Sequence, residues 1–230
     1  MKPLSALEKQ LGISFKSKKL LENAFVHRSY LNENKASPLA SNEKLEFLGD
    51  SVLSLITSVY LYERYPHFKE GDYTEIKSSI VKTGSLAEAA ESLSLGEYLF
   101  LSKGEEQGEG RRNKNILADV FEALIAAIFL EHGFSVANDF VVKHLFKDVL
   151  DQTVEKGQYL SSKSKLQEIS QAKYRSIPAY KVMNTEGPEH KRVFTIAVYL
   201  NKKKLGLGKG FSKKEAEEKA AFQALQAIAK

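Results

Sequence analysis

The stretch that decides the fold is NEKLEFLGDSVLSLITSVYLYER, residues 42–64. Its apolar residues recur every three or four positions, which is typical of an amphipathic helix. The predicted core stripe of this helix consists of Leu45, Leu48, Val52, Leu55 and Val59. The same spacing continues through residues 4–148, so we expect the first domain to be all helical.

Acidic residues follow one edge of two predicted helices, the helix at residues 42–64 and a second helix at residues 115–132. At 100° per residue, the acids of each helix fall within about 60° of one another, on the side opposite the apolar stripe. In chain order they are Glu43, Glu46, Asp50, Asp119 and Glu122. The second helix repeats the design of the first, with a predicted core of Leu117, Val120, Leu124 and Ile128.

These acidic edges have no basic neighbours along their own helices. No Lys or Arg occurs between Lys44 and Arg64, or between Lys114 and Lys143. A solvated face is the ordinary explanation of an acidic edge, but solvated faces usually mix charges of both signs. Phe47 projects about 60° from the first acidic edge and away from the apolar stripe, where a monomer would expose it. An exposed aromatic beside bare carboxylates indicates an interface.

If the two helices face each other, four or five carboxylates converge. Like charges so close cannot all stay ionised unless a cation joins them. The chain has no Cys and only five scattered His residues, so the ligands must be mainly oxygen atoms. A hard divalent ion such as Mg²⁺ is the natural partner, and such a site suits the hydrolysis of phosphodiester bonds.

Composition narrows the class of protein. The 230 residues are 43% apolar and 27% charged, as in ordinary globular proteins. The absence of Cys excludes disulfides, Cys-ligated zinc, iron–sulfur centres and thiol nucleophiles. The chain shows neither a signal peptide nor an apolar stretch approaching the roughly 18 residues of a membrane span, so we expect a cytoplasmic protein without a membrane partner. The glycines at residues 104–110 fit neither GxGxxG nor a P-loop, so no nucleotide cofactor is expected.

The pattern changes after the first predicted domain, residues 1–150. Residues 151–162 are polar and non-periodic, which predicts a linker. Residues 163–230 then show a helix, two segments of strand-like alternation, a hairpin signal at residues 201–202, a third short strand and a final helix. The predicted fold is therefore multidomain, with an all-α domain followed by a small α+β domain of the order α-β-β-β-α.

The two predicted domains differ in charge. Residues 1–150 hold 18 Lys and Arg against 21 Asp and Glu, whereas residues 151–230 hold 16 against 8, in a chain of formal net charge +5. A basic domain of this size attracts polyanions, either nucleic acid or an anionic membrane surface. Charge alone does not choose between these partners.

The final helix begins with Ser212-Lys213-Lys214-Glu215, which has the spacing of a capping box. Its two lysines occupy the first helical turn, where the helix dipole disfavours positive charge. A phosphate bound by the helix N-terminus and by both ammonium groups would offset that cost. We therefore expect phosphate contacts at Lys213 and Lys214, with Lys209 extending the basic patch.

Three segments resemble the ribonuclease III family. Residues 42–53, NEKLEFLGDSVL, are similar to its signature, residues 116–123, ILADVFEA, to its second acidic motif, and residues 27–30, HRSY, to an upstream element. The resemblance covers nearly the whole chain. It implies a metal-dependent endonuclease acting on double-stranded RNA, with a helical catalytic domain that dimerises and a C-terminal double-stranded-RNA-binding domain.

The resemblance also implies roles for individual residues. The metal-binding carboxylates are Glu46, Asp50, Asp119 and Glu122, with Asp50 and Glu122 as the catalytic pair and Mg²⁺, or Mn²⁺ in its place, as the cofactor. The supporting acids are Glu43 and Glu70, the latter in the element EGDYTEIKSSIV. The role of Glu70 is predicted from the resemblance alone. Phe47 matches a dimer-contact aromatic. His27 is more often a structural histidine than a catalyst, and Arg111 and Arg112 are either solvated or phosphate contacts.

The segment GKGFSKKEAEEKAA, residues 208–221, resembles the double-stranded-RNA-binding domain. By this resemblance, one minor groove is faced by Ser164, Gln167 and Glu168, the other groove by His190, and phosphates by Lys213 and Lys214. Such domains read A-form shape more than sequence. Phe194 and Phe211 are expected in or near the core, so no aromatic platform for single strands is predicted, and a duplex is the favoured substrate.

The function implied by the resemblance is Mg²⁺-dependent hydrolysis of double-stranded RNA by a cytoplasmic homodimer. The products would carry 5′-phosphate and 3′-hydroxyl ends with short 3′ overhangs, and the substrates would include ribosomal, messenger and other structured RNA precursors. One alternative is a non-catalytic double-stranded-RNA-binding regulator whose acidic domain only dimerises. A second alternative is a metal nuclease that acts on DNA. The resemblance of the second predicted domain to one that contacts 2′-hydroxyl groups disfavours this alternative.

Overall fold

The computed structural model describes residues 2–146, 149–157, 159–188 and 191–228. The chain divides into two compact units, Met1–Glu155 and Lys156–Lys230. Helices build the first unit, and a three-stranded sheet with two helices builds the second. The predicted fold class, an all-α domain followed by a small α-β-β-β-α domain, is confirmed.

The first unit contains ten α-helices among its described residues. They are α1 Leu4–Leu11, α2 Lys18–Ala24, α3 Arg28–Glu33, α4 Glu43–Arg64, α5 Glu70–Ile80, α6 Thr83–Ser92, α7 Lys103–Gln107, α8 Lys114–His132, α9 Phe134–Val141 and α10 Val149–Glu155. Short 3₁₀ turns at Leu95–Tyr98 and Gly110–Arg112 precede α7 and α8, and a π-helical turn at Val142–Phe146 follows α9.

Helix α8 forms the centre of the first unit and packs against both α4 and α6. Its predicted core residues, Leu117, Val120, Leu124 and Ile128, are all buried. Several alanines of α8 are buried as well, so neighbouring helices can approach its backbone closely. The acids on the remaining edge of α8 therefore project from a helix that is fixed on several sides.

The buried side of α4 differs in part from the predicted stripe. Leu45 and Val52 are buried as expected, but Leu55 is 54% exposed. The buried face instead includes Leu53 and Ile56. Helix α4 packs against α5 and α2 as well as α8, so its buried arc is wider than one stripe and rotated from it.

Helix α4 is also long and apolar enough, by length and composition alone, to cross a membrane, with a mean hydropathy of 1.2 in its best window. This finding differs from the expectation that no stretch of the chain approaches the length of a membrane span. The core helix of a folded helical domain meets the same test, and α4 packs within such a domain. Packing against α8 accounts for its apolar side.

The first unit extends into the predicted linker at residues 151–162. Helix α10, Val149–Glu155, continues through the first part of that range. Asp151 is held by Tyr65, whose hydroxyl donates a hydrogen bond to its carboxylate over 2.5 Å. The polar sequence of this segment does not reveal the contact between Tyr65 and Asp151. The first unit therefore ends at Glu155 rather than at residue 150.

The second unit contains α11 Ser162–Tyr174, β1 Ala179–Glu186, β2 Val193–Leu200, β3 Lys203–Gly210 and α12 Lys213–Ile228. The strands form an antiparallel sheet in the order β1-β2-β3. At the predicted hairpin, Asn201 and Lys202 both have positive φ, 48° and 67°, which are the dihedral signs of a type I′ turn. The hairpin prediction is therefore confirmed.

Glycines in β3 allow α12 to lie directly on the sheet. A Cβ atom on Gly208 would stand 2.1 Å from the carbonyl oxygen of Ala216, and one on Gly206 would stand 2.3 Å from that of Ala220. Leu166 of α11 and Val198 of β2 complete this core with the alanines of α12. The close contact fixes the N-terminal turn of α12, which carries the predicted phosphate-binding lysines, at the end of β3.

Candidate functional site

A glycine sets the distance between the two acidic helices. Gly49 of α4 lies so close to α8 that a Cβ atom there would stand 1.9 Å from the carbonyl oxygen of Glu122. Glu46 lies one turn before Gly49 and Asp50 directly after it, so this contact brings both beside Glu122. Gly49 is not among the site residues predicted from the sequence. Its signal was a glycine inside a helix, which costs about 1 kcal/mol relative to alanine and calls for a reason.

Three carboxylates converge at this contact. Glu46 from α4, and Asp119 and Glu122 from α8, can each present an oxygen so that all three oxygens lie within 4.8 Å of one another. All three side chains are half-buried. The structure thus brings together residues from both acidic edges. We refer to Glu46, Asp119 and Glu122 as the carboxylate cluster.

Burial raises the pKa of every member of the carboxylate cluster, and repulsion from neighbouring carboxylates adds to this effect for Glu46 and Glu122. For Glu122, burial and then the charge of Asp50 are the largest causes, and they raise its pKa to about 8. For Glu46, burial and then the charge of Asp119 raise the pKa. Burial alone raises the pKa of Asp119. At neutral pH the cluster therefore retains a proton unless a cation takes its place.

Asp50 lies at the exposed rim of the carboxylate cluster. Its charge raises the pKa of both Glu46 and Glu122, so it lies within electrostatic reach of the cluster. A cavity of about 420 Å³ adjoins Asp50 between α4 and α5. On its wall, the Lys77 ammonium donates a hydrogen bond to the Ser54 hydroxyl over 2.5 Å. The rim is thus open on the side of Asp50.

The two predicted supporting acids occupy separate places. Glu43 is exposed at the start of α4, where its carboxylate accepts a hydrogen bond from the Ser41 hydroxyl over 2.8 Å. Glu70 is exposed at the start of α5, where it accepts a hydrogen bond from the Thr74 hydroxyl over 3.0 Å. Among the described residues of this chain, Glu70 is not a member of the carboxylate cluster. Its supporting role stays a prediction.

Two basic residues at the start of α3, His27 and Arg28, face the cluster and are not among the predicted site residues. The Arg28 Nη1 lies 3.8 Å from the Glu43 Oε1. The charges of His27 and Arg28 both act to lower the pKa of Asp119, against the effect of its burial. The His27 Nδ1 also meets the Ser29 hydroxyl at 2.7 Å, which fits a structural histidine. The spacing of residues along α4 and α8 could not reveal basic side chains that another segment of the chain brings to the site.

The chemistry of the carboxylate cluster fits a hard divalent cation. All of its side-chain donors are carboxylate oxygens, the ligands that Mg²⁺ and Mn²⁺ prefer. A doubly charged ion would offset the repulsion that raises the pKa of these groups. These donors suit several divalent cations.

Apolar side chains follow the exposed side of α4. Phe47 is 79% exposed, Leu55 54% and Tyr62 73%. At 100° per residue, the three fall within about 80° of one another. Phe47 is thus exposed as expected from the sequence, and its contact with a second subunit stays a prediction.

The basic residues of the second unit lie on its surface. Lys213 and Lys214 are exposed in the first turn of α12, and Lys209 is exposed on β3. The Ser212 hydroxyl accepts a hydrogen bond from the Glu215 N–H over 3.1 Å. The Glu215 carboxylate accepts one from the Phe211 N–H rather than from the cap residue itself. The helix start is therefore capped, and both lysines remain on the exterior.

Three of the other predicted RNA contacts, Ser164, Gln167 and Glu168, lie on α11. Gln167 and Glu168 are exposed on α11. Ser164 is partly buried, and its N–H donates to the Ser161 hydroxyl over 3.1 Å. His190 lies outside the described residues. The expectation that Phe211 is near the core is wrong, because its side chain is 71% exposed.

Of the two arginines before α8, one has a structural role. Arg111 donates hydrogen bonds to the Glu106 carboxylate over 2.6 Å and to the Gly96 carbonyl over 2.7 Å. These contacts occupy its guanidinium and disfavour a phosphate contact. Arg112 is exposed.

Comparisons with known proteins agree with this architecture. A protein-family model described as ribonuclease-III-like matches residues 17–149, more than half of the chain, and a model of the double-stranded RNA binding motif matches residues 162–228. The chain belongs to the ribonuclease III family. It is an endoribonuclease of this family that processes double-stranded RNA, as the sequence predicted.

Relatives of similar length carry the name Ribonuclease 3. The protein from Dehalococcoides mccartyi is 42% identical over 98% of this chain and 95% of its own length. The protein from Clostridium perfringens is 43% identical over 98% of this chain and 94% of its own. This ribonuclease III chain therefore matches its relatives across both units.

A solved structure matches the first unit. The nuclease domain of ribonuclease III from Campylobacter jejuni is 36% identical and superposes with a TM-score of 0.59, covering 64% of this chain and 99% of that domain. That domain shows structural flexibility in a region involved in dimer formation. The helical unit described above is thus the nuclease unit of this ribonuclease III family member.

Proposed function

We propose that the protein is a Mg²⁺-dependent homodimeric nuclease that hydrolyses phosphodiester bonds of double-stranded RNA. The products would be 5′-phosphate and 3′-hydroxyl ends with short 3′ overhangs. Ribosomal, messenger and other structured RNA precursors of a bacterial cytoplasm would be its substrates. The observation that carries the proposal is the convergence of three carboxylates within 4.8 Å on two helices that touch at Gly49.

The acidic residues of the first unit would have the following roles in binding the cation. Glu46, Asp119 and Glu122 would hold the divalent cation, and Asp50 would complete its ligands from the open rim. A cation held there polarises the phosphate and the attacking water. Because the pKa of Glu122 is raised to about 8, cation binding at neutral pH must displace a proton from the cluster. Activity should therefore rise with pH up to about this value.

Dimerisation is supported by the exposed side of α4. Phe47, Leu55 and Tyr62 form one apolar strip, and burying them against a second copy would remove that surface from water. Phe47 is adjacent in sequence to Glu46, so a second subunit seated there would lie beside the carboxylate cluster. The dimer would thus present two cutting sites to the two strands of one duplex.

The second unit would supply affinity for the duplex. The acids of the first unit repel a polyanion, whereas Lys209, Lys213 and Lys214 attract one and are exposed. A double-stranded-RNA-binding domain spans about 16 base pairs and reads A-form shape, which excludes DNA of the same sequence as a good ligand. Binding and cleavage are therefore expected to be separable.

One assay tests the proposal. The protein is incubated with a duplex RNA or the matching duplex DNA, in the presence of Mg²⁺, Mn²⁺ or EDTA, and the product ends are mapped. We expect cleavage of RNA alone, with either metal and not with EDTA, and two-strand cuts offset toward 3′ overhangs. Cleavage that persists in EDTA, or cleavage of DNA, would contradict it.

The matched variant is Glu122→Gln, which keeps the shape of the side chain and removes the charge. Cleavage should fall by at least about 100-fold while duplex binding persists. Loss of binding together with cleavage would contradict the division of labour. A wild-type protein that binds duplex RNA but never cleaves it would instead favour the alternative function, a non-catalytic double-stranded-RNA-binding regulator.

A further inference from the structure

Arg28 lies at the edge of the carboxylate cluster, and within the described part of the chain its guanidinium forms a loose ion pair with Glu43. The Glu43 Oε1 lies 3.8 Å from the Arg28 Nη1, which is too long for a hydrogen bond. The Arg28 side chain is 73% exposed. A guanidinium carries five N–H donors in a fixed planar fork, the geometry that matches a phosphate.

The position of Arg28 relative to the cluster is fixed by backbone contacts. The Asn42 N–H, at the start of α4, donates to the Val26 carbonyl over 2.8 Å. The His27 N–H donates to the Phe100 carbonyl over 3.1 Å. The Ser29 hydroxyl accepts a hydrogen bond from the Ser102 N–H over 3.1 Å. Residues on both sides of Arg28 are thus anchored, and one anchor is the helix that carries Glu46.

The guanidinium acts on the cluster from this position. Its charge acts to lower the pKa of both Glu46 and Asp119, against the burial that raises both. The pair with Glu43 is exposed and loose, and such pairs contribute little, so a better partner can displace it at small cost. A strand backbone that approaches the cluster brings such a partner, because each of its phosphates carries a full negative charge.

We propose that Arg28 leaves Glu43 and binds a phosphate of the RNA strand beside the scissile phosphate, and so positions the strand over the carboxylate cluster. The proposal rests on the proposed nuclease function and adds to it a positively charged contact inside an acidic site. Arg28 is thereby a positioning residue: its guanidinium holds the strand and takes no part in bond making or breaking.

The test compares Arg28→Gln, Arg28→Lys and a control, Lys9→Gln, which removes one exposed positive charge from α1 in the same unit. Cleavage of a duplex RNA of about 30 base pairs, long enough for the second unit to bind, is followed in Mg²⁺ over a series of salt concentrations. For Arg28→Gln we expect KM to rise roughly tenfold at low salt with kcat changed by less than about threefold. The dependence of log(kcat/KM) on log[salt] should lose about one unit of slope, as expected when one phosphate contact is removed.

Arg28→Lys should keep the salt dependence of the wild type and a KM close to the wild-type value. Lys9→Gln should match the wild type in both. If Arg28 serves only to balance the charge of the acids, Arg28→Gln will instead change the Mg²⁺ concentration needed for half-maximal rate and leave the salt slope unchanged. That result overturns the proposal, as does a slope change equal to that of Lys9→Gln. A failure of the nuclease function itself is distinct, because the wild type would then not cleave the duplex at all.

Discussion

The acidic site of the first unit and the basic surface of the second are built on different principles. The carboxylate cluster depends on one backbone contact in the protein core, at Gly49, so its geometry exists before any ligand arrives. The predicted RNA contacts Lys209, Lys213 and Lys214 project from the surface, and no core contact sets the distance between their ammonium groups. The acidic site should therefore fail all at once when its support is disturbed, whereas replacing the exposed lysines of the basic surface one at a time should weaken RNA binding by increments.

The largest expected effect is that of Gly49→Ala. The added methyl group would overlap the Glu122 carbonyl, 1.9 Å away, and force α4 from α8. We expect cleavage to be lost and the first unit to be destabilised by about 3 kcal/mol or more, as for other overpacked cores. Calorimetric unfolding and the duplex-cleavage assay measure the two effects.

The control for Gly49→Ala is Gly84→Ala in α6, where a Cβ atom meets nothing within 4 Å. It should leave activity unchanged and stabilise the unit slightly, by up to about 1 kcal/mol, because alanine is the better helix former. Equal effects of the two substitutions would show that the helix contact is not what Gly49 serves.

The second unit has its own glycine contact, and Gly208→Ala should break it. The new methyl group would lie 2.1 Å from the Ala216 carbonyl, so α12 must move off the sheet. We expect a loss of about 2–4 kcal/mol in the second unit and a large loss of duplex binding. Binding of Mn²⁺ to the first unit, followed by the paramagnetic resonance of the ion, should persist. Loss of Mn²⁺ binding would show that the two sites are not independent.

A smaller effect is expected when the basic surface alone is changed. Lys213→Gln combined with Lys214→Gln should weaken duplex binding roughly 10- to 100-fold at low salt and reduce the salt slope by about two units, one for each phosphate contact. The fold should be unaffected because both side chains are exposed. Lys173→Gln, on α11, serves as the control in a fluorescence-anisotropy titration. A binding curve unchanged by the double substitution would remove these lysines from the interface.

The smallest effect is a pH dependence of stability in metal-free buffer. The pKa of Glu122 is raised to about 8 in the folded protein from an ordinary value of 4.5. The folded state therefore binds more protons than the unfolded state between these values, and the free energy of unfolding should fall as pH rises from about 4.5 to about 8, then level off. We expect a decrease of about 1–3 kcal/mol, allowing for partial solvent screening.

Glu122→Gln should flatten this dependence and make the metal-free protein more stable than the wild type at pH 8. Denaturant titrations at several pH values measure both proteins. A wild type that gains stability over this pH range, or one that Glu122→Gln does not alter, would contradict the raised pKa. Added Mg²⁺ should restore the stability of the wild type alone.

Much of the fold could be predicted because its signals are local. Helical spacing located α4 and α8, and alternation with a two-residue hairpin located the strands of the second unit. The unneutralised charge on two helical edges drew attention to Glu46, Asp119 and Glu122, which the structure brings together. Helical periodicity can predict these features because the residues of one helix alone determine where its apolar stripe and its acidic edge lie.

What could not be predicted depends on contacts between distant segments. Leu55 satisfies the spacing of a core residue, but which apolar stripe of α4 faces inward depends on where α8 and α5 pack. Arg28 reaches the site from α3, and Asp151 is held by Tyr65 from the far end of α4. Phe211 is exposed, and the sequence could not reveal this because its position lies between β3 and α12, where no periodicity applies.

The central claim is that Glu46, Asp119 and Glu122 hold one divalent cation between α4 and α8. Crystals of the metal-free protein soaked in a manganese salt test it directly through the anomalous scattering of the ion. The account predicts a peak between the two helices, about 2.0–2.3 Å from an oxygen of each of the three carboxylates. Manganese bound elsewhere, or three carboxylates that remain without an ion at millimolar concentration, would contradict it.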